Sequence, residues 1–134
     1  MIADLRANRG KASGGPFQGG QILILTTKGA KTGEPREHPL AYSKDDGLHV
    51  IVASKGGAPT NPHWFHNLQT HPIVTVEVGG ETYQAKANVV ENEEEYERLY
   101  AQHAALMPGF NDYRKKTDRR IPVIVLEPVD EAVA

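Results

Sequence analysis

Three cations crowd one predicted turn. Lys28, Lys31 and Arg36 lie within "TTKGAKTGEPR", residues 26–36, beside Gly29, Gly33 and Pro35. Arginine offers a planar fork matched to phosphate or carboxylate, and lysine a mobile point charge. A glycine turn can also expose backbone N–H groups to an anion. The chemistry on offer is anion binding. "ASKGG", residues 53–57, repeats it: a predicted strand ends, then Ser54, Lys55 and two glycines follow. Two such loops on one scaffold could grip a ligand carrying several negative charges. Solvated turn residues would give the same local pattern, and the loops alone leave both readings open.

Other chemistries can be tested against the same residues. A phosphate-binding P-loop needs Gly-x-x-x-x-Gly-Lys-Ser/Thr, but five residues after Gly29 stands Glu34. Lys31-Thr32-Gly33 matches one penicillin-recognising element whose partners, Ser-x-x-Lys and Ser-Asp-Asn, are absent from the sequence. There is no nucleophile elbow, dinucleotide fingerprint or His-Glu-x-x-His. His63 and His66 are one helical turn apart, yet no carboxylate lies near them in sequence, so no metal site is expected. With no cysteine, thiolate catalysis, disulfides and cysteine-ligated metals are excluded.

The elements that must position these loops are short. Apolar or β-branched runs predict strands over 21–27, 36–43, 48–54 and 121–129, with two more inside 73–90 around Gly79-Gly80. Pro39 marks the second of these as an edge or bulged strand. "KDDG" predicts a hairpin in which Gly47 takes positive φ. Asn61 is the expected N-cap of a helix with Pro62 at its first position, ending before Pro72. Asn92 followed by Glu95 predicts a capping box for a second helix, whose Tyr96, Leu99, Tyr100, His103 and Leu106 form one buried stripe. "DYRKKTDRR" reads as a further short helix or turn. About six hairpin-connected strands with two or three helices imply an α+β, mainly β chain built on a small antiparallel barrel.

The 134 residues fit one domain. Residues 1–20, rich in glycine, are expected to form a flexible N-terminal arm, 21–130 the barrel domain and 131–134 a C-terminal tail. A net charge of −2 gives no basis for general nucleic-acid binding. The acidic run from Glu91 to Glu97 reads as a solvated face, and a basic run extends from Arg114 to Arg120. No apolar run has the length of a signal-peptide core or a membrane span, so a cytoplasmic protein is expected, monomer or homodimer.

Three blocks carry a resemblance. "LTTKGAKTGEPREHPLAY", "VIVASKGGAPTNPHWFHNLQTHPIVTVEVGG" and "YRKKTDRRIPVIVLEPV" together resemble the deazaflavin-dependent nitroreductase family from Ile22 to Pro128. These are split β-barrel oxidoreductases, related in fold to FMN-binding split barrels, that use reduced coenzyme F420. The resemblance implies a deazaflavin-binding barrel with the cofactor in a surface groove. F420 carries a phosphodiester and a glutamate tail. By resemblance Lys31 and Arg36 take the phosphate and nearby tail, and Ser54 and Lys55 lie beside the cofactor. Trp64 and Asn67 would line the same groove, and Ala53 would sit under the ring. Lys28 carries no such assignment.

The implied reaction is hydride transfer to a small electrophile: a quinone, an activated enone or lactone, or a nitroaromatic. The cofactor carries the hard chemistry, so no acid–base pair need be visible. Relatives often place tyrosines just before the Arg-x-x-Asp/Glu-Arg-x-Ile-Pro block. Here the corresponding stretch holds Met107, Phe110 and Tyr113, so two expected hydroxyls are missing. Tyr113 becomes the candidate for acceptor orientation or proton donation, with Ser54 as a second hydroxyl. A non-catalytic F420 binder or carrier, and an FMN- or haem-binding split-barrel relative, are the alternatives.

Overall fold

The computed structural model of the chain describes residues 21–129; the predicted N-terminal arm and C-terminal tail lie outside them. Seven strands form one sheet: β1 (Ile22–Lys28), β2 (Pro35–Ala41), β3 (Ser43–Asp45), β4 (Leu48–Val52), β5 (Ile73–Val78), β6 (Glu81–Val89) and β7 (Val123–Pro128). Their order is β2-β1-β5-β6-β7-β4-β3, with every pair antiparallel. The two edge strands, β2 and β3, are separated in sequence only by Tyr42. The sheet must therefore curl until its edges meet at that residue, which makes it a half-barrel, the expected split-barrel-like α+β fold.

Period-two alternation decides what fills it. Leu23 and Leu25 of β1, Ile51 of β4, and Ile124 and Leu126 of β7 point into the barrel, where Trp64, Phe65 and Leu68 of helix α1 (His63–Thr70) join them. Val50, Val52 and Val123, one residue out of phase, face outward under helix α2 (Glu93–Leu106) and pack on Tyr96, Leu99, Tyr100 and Ala104. Each fully buried leucine or isoleucine contributes roughly 1.5–3 kcal/mol relative to exposure, so the two layers drive the fold. Both predicted hairpin turns form, with φ of 51° and 80° at Asp46-Gly47 and 59° and 83° at Gly79-Gly80. Pro39 lies on β2, an edge strand where its missing N–H leaves no ladder bond unmade.

Several sequence expectations need correction. The predicted strand over 36–43 is two strands, β2 and β3, broken at the Tyr42 corner, which raises the count to seven. Asn61 does not cap α1; Pro62 holds the N-cap position, and the Asn61 side chain accepts from Arg119 instead. Leu106 is 58% exposed and leaves the stripe, because α2 ends there. Asn92 does cap α2, accepting from the Glu95 N–H at 3.0 Å, but the Glu95 carboxylate pairs with Arg98 at 2.6 Å and does not complete a capping box. The last helix, α3, spans Gly109–Lys116 and begins three residues earlier than predicted.

The acidic run is exposed, as expected, but not merely solvated. Glu93 meets Arg120 at 2.7 Å and Glu97 meets Arg114 at 2.7 Å. The same guanidinium groups lie over the rings of Tyr96 and Tyr100, at 4.0 and 4.5 Å from the centroids. Exposed pairs of this kind stabilise little. Their consequence is electrostatic: Arg114 and Arg120 are occupied by α2.

Candidate functional site

Alternation along β1 and β2 sorts the opening cations. Thr27 turns inward and is buried, whereas Lys28, next in sequence, faces out. On β2, Arg36 and His38 share one face, standing opposite Thr27 and Leu25 in the ladder. Between the strands the turn is closed by Gly29 N–H to the Glu34 carbonyl and Gly33 N–H to the Gly29 carbonyl, both at 2.8 Å. Gly33 adopts φ of 71°, a conformation glycine takes without cost.

Asn67 of α1 holds this turn in place. Its Nδ2 donates to Thr27 Oγ1 at 3.1 Å, its Oδ1 accepts from the Ala30 N–H at 3.0 Å, and Thr27 Oγ1 also bonds His38 Nε2 at 3.2 Å. Burial and the neighbouring Arg36 charge hold the His38 imidazole below its ordinary pKa. Between turn and helix opens a groove of about 660 Å³ lined by Lys31, Arg36, His38, His63, His66 and Asn67, with Gly29, Ala30 and Thr32. No carboxylate is among its lining residues. Glu34 approaches Arg36 to 3.6 Å at the rim, where both are more than half exposed and the pairing is weak. The groove is therefore built for negative charge.

A second neighbourhood forms on the loop that leads from β4 toward α1. Residues Lys55–Gly57 make a single 3₁₀ turn after β4, with φ of 49° at Lys55 and 84° at Gly57. A Cβ on Gly57 would stand 2.9 Å from Lys116 Cβ and 3.0 Å from the Tyr113 carbonyl oxygen. Only glycine allows the turn to lie this close to α3, and that approach sets Tyr113 beside the Ser54–Gly57 loop. The Tyr113 ring packs edge-on against Phe110, centroids 5.1 Å apart, with Lys116 Nζ 5.9 Å from its own.

Arg119 fixes this loop from behind. Its Nε donates to the Ala58 carbonyl at 2.9 Å, one terminal nitrogen to Asn61 Oδ1 at 2.7 Å, and the other to the carbonyls of Ser54 and Ala53 at 2.7 and 3.2 Å. Burial lowers its pKa, although an arginine remains charged. All four acceptors are neutral, and among the described residues Arg119 forms no ion pair, so its positive charge sits under the loop.

The structure thus places the predicted site residues in two groups joined by α1. Lys31, Arg36 and Asn67 share the groove; Ser54 and Lys55 lie at the 3₁₀ turn, which the Tyr113 backbone carbonyl approaches while its hydroxyl lies toward Gly109. Ser54 is 7% exposed, and Lys55 is exposed with Nζ donating to Thr60 Oγ1 at 3.3 Å. Ala53 is fully buried, its N–H bonded to the Pro122 carbonyl. Trp64, one turn before Asn67, is 6% exposed and belongs to the barrel core.

Sequence reasoning did not assign His38, His63 and His66 to the anion groove, nor Arg119 to the loop. The spacing of His38 from Arg36 on one strand face was the available signal for the first. For Arg119 the signal was its place in the Arg-x-x-Asp/Glu-Arg-x-Ile-Pro block, but its acceptors, 58 to 66 residues away, could not be read from it. Among the described residues, no cluster of three or more His, Cys, Asp or Glu could hold a metal, and no helix is long and apolar enough to cross a membrane.

Relatives of the chain bear on what the groove would hold. Residues 2–128 match the F420H2-dependent quinone reductase family. The F420H2-dependent quinone reductase Rv1261c of Mycobacterium tuberculosis is 40% identical over 106 residues, which is 78% of this chain and 71% of the relative. A structure of an F420-H2 dependent reductase, FDR-A, is 37% identical with a TM-score of 0.72, covering 79% of this chain and 93% of its own. Another, described as a domain-swapped dimer, is also 37% identical, with a TM-score of 0.73 and 79% of both chains covered. A groove with two permanent cations, three imidazoles and no carboxylate fits a cofactor that carries a phosphodiester and several carboxylates. The chain belongs to the F420H2-dependent quinone reductase family.

Proposed function

We propose that this chain is an F420H2-dependent reductase of quinones, with Lys31 and Arg36 holding the phosphodiester and adjoining tail of the cofactor. The observation that carries the reading is the groove beside α1, whose charged lining residues, Lys31 and Arg36, are both cations and which no carboxylate lines. When bound, reduced F420 supplies a hydride, and the protein supplies binding, orientation and a proton. Arg36 meets two anionic oxygens at once through its fork, and Lys31 adds a mobile charge on the other side of the turn. Asn67 keeps that turn against α1, so the cations stand ready before a ligand arrives.

Ser54 and Lys55 stand at the ring end, on a floor formed by the buried Ala53 and Trp64. Reducing a quinone to a hydroquinone takes one hydride and one proton, and the Tyr113 hydroxyl is the proton donor to the quinone oxygen, with Ser54 as a second hydrogen-bond donor. The Arg119 charge behind Ser54 favours the oxygen as it becomes negative. Enones, lactones and nitroaromatics present the same electron-poor acceptor and are the further substrates of this reading. The setting is cytoplasmic, and the assembly a monomer or a homodimer.

Reoxidation of reduced F420, followed with a panel of quinones, tests this directly. Acceleration by at least one quinone is expected. Tight FMN binding with no F420 binding would contradict the reading, and F420 binding without turnover would leave a carrier in place of an enzyme.

A further inference from the structure

Among the described residues, the side chains of two groove histidines make no hydrogen bond or ion pair, and His66 has only an edge-on contact with the Phe65 ring. His63 and His66 stand at i and i+3 on α1, on the face opposite its buried Trp64, Phe65 and Leu68, and both are exposed. They line the groove across from Lys31 and Arg36, while His38 forms its inner wall, bonded to Thr27. From the element packed against α1, the charged groups that face them are Lys31 and Arg36, with Glu34 held at the rim by Arg36. Lys28 lies on the other face of β1, and Glu37 lies on the other face of β2 with a partner of its own. Before α1, Lys55 is turned to Thr60; after it comes His71. The first turn of α1 has no acidic residue. No carboxylate of the groove lining is available to hold a proton on these imidazoles.

We propose that His63 and His66 are a proton-linked second wall of the groove, binding the carboxylates of an acidic tail and tightening on it as pH falls. The proposal rests on the reading of the groove as the F420 site. Its physical basis is linkage. A polyanion bound beside His63 and His66 favours the charged form of either imidazole, so binding takes up protons, and protons promote binding by the same factor. Imidazole is the side chain whose charge changes between about pH 5 and 8, whereas phosphodiesters and most carboxylates are already ionised throughout that interval. His38 adds little until the acid end, since burial and Arg36 keep its proton off.

The consequence is selectivity by tail as well as by ring. A deazaflavin bearing phosphodiester and glutamates engages both walls; one lacking them engages neither. The two ligands share the same ring, so any titration of the ring itself cancels between them.

The test measures dissociation constants at pH 5.5 and 8.0 for F420 and for the deazaflavin nucleoside that lacks phosphate and glutamates. Wild-type protein and the His63→Gln/His66→Gln double variant are compared. For the wild type, F420 is expected to bind at least about tenfold tighter at the lower pH, relative to the tail-less ligand, the size of one proton linked over this range. The double variant should lose most of that gain. A gain retained in full by the double variant, or an equal gain for the tail-less ligand, overturns the proposal and leaves the F420 reading intact. No F420 binding at either pH overturns both.

Discussion

The Asn67 side-chain carbonyl accepts the Ala30 backbone N–H at 3.0 Å, across 37 residues of sequence, and ties one wall of the groove to the helix that plugs the barrel. The same amide donates to Thr27. Replacing Asn67 by leucine keeps the volume and removes both bonds, leaving a backbone donor and a buried hydroxyl short of partners. We expect a loss of about 1–3 kcal/mol in stability by urea unfolding, with weaker F420 binding in the same variant. Unchanged values in both measurements would mean the turn holds its shape without α1.

Arg119 makes a different demand. Its fork meets four neutral acceptors at once, and lysine, with one point charge, cannot reproduce that geometry. Arg119→Lys should fold yet turn over at roughly a tenth of the wild-type rate with saturating F420H2, equivalent to about 1.4 kcal/mol of barrier. A purely structural role would lower the melting temperature and leave the saturated rate alone.

Tyr113→Phe separates proton donation from packing. The ring contact with Phe110 survives the change, so the fold should be unaffected. General acid catalysis contributes about 10²–10⁴-fold where it operates, and solvent can replace part of it. We expect kcat with a quinone to fall at least tenfold on this basis, with KM little altered. Equal kcat in the variant assigns Tyr113 to packing.

Acid should weaken the fold through His103. This fully buried side chain has Nδ1 2.9 Å from Ser43 Oγ, its Nε2 has no hydrogen-bond partner among the described residues, and the edge-on Phe110 ring lies 4.4 Å away between centroids. Burial pushes its pKa down from 6.5 to about 4. Between those values the unfolded chain binds a proton that the native chain refuses, so stability is complete above about pH 6.5 and declines as pH falls toward 4. The change is on the order of 3 kcal/mol. Urea unfolding at pH 4.5 and 7 should show it, and His103→Asn should show a smaller drop. His38 and His49, also held low by burial, leave a residual slope of the same sign.

What the sequence disclosed was local. Gly47 and Gly79-Gly80 announce their turns because positive φ is a property of the residue itself, and Asn92 caps α2 within three residues. Alternation already separates Lys28 from Arg36 once the strands are placed. What it hid depends on distant partners. Asn61 looks like a cap until Arg119, 58 residues on, takes its oxygen. Glu93 and Glu97 look solvated until Arg120 and Arg114 fold back on them. Trp64 and Asn67, one turn apart, were expected together in the groove; the register of α1 on the barrel sends the first into the core and the second to the groove.

The central claim is that the β1–β2 turn grips the anionic part of F420. Isothermal titration of F420 into wild type, Lys31→Ala and Arg36→Ala tests it most directly. Each variant should bind about 1 to 3 kcal/mol more weakly, the range of a charge-assisted hydrogen bond. Wild-type affinity in both would place the anion elsewhere on the protein.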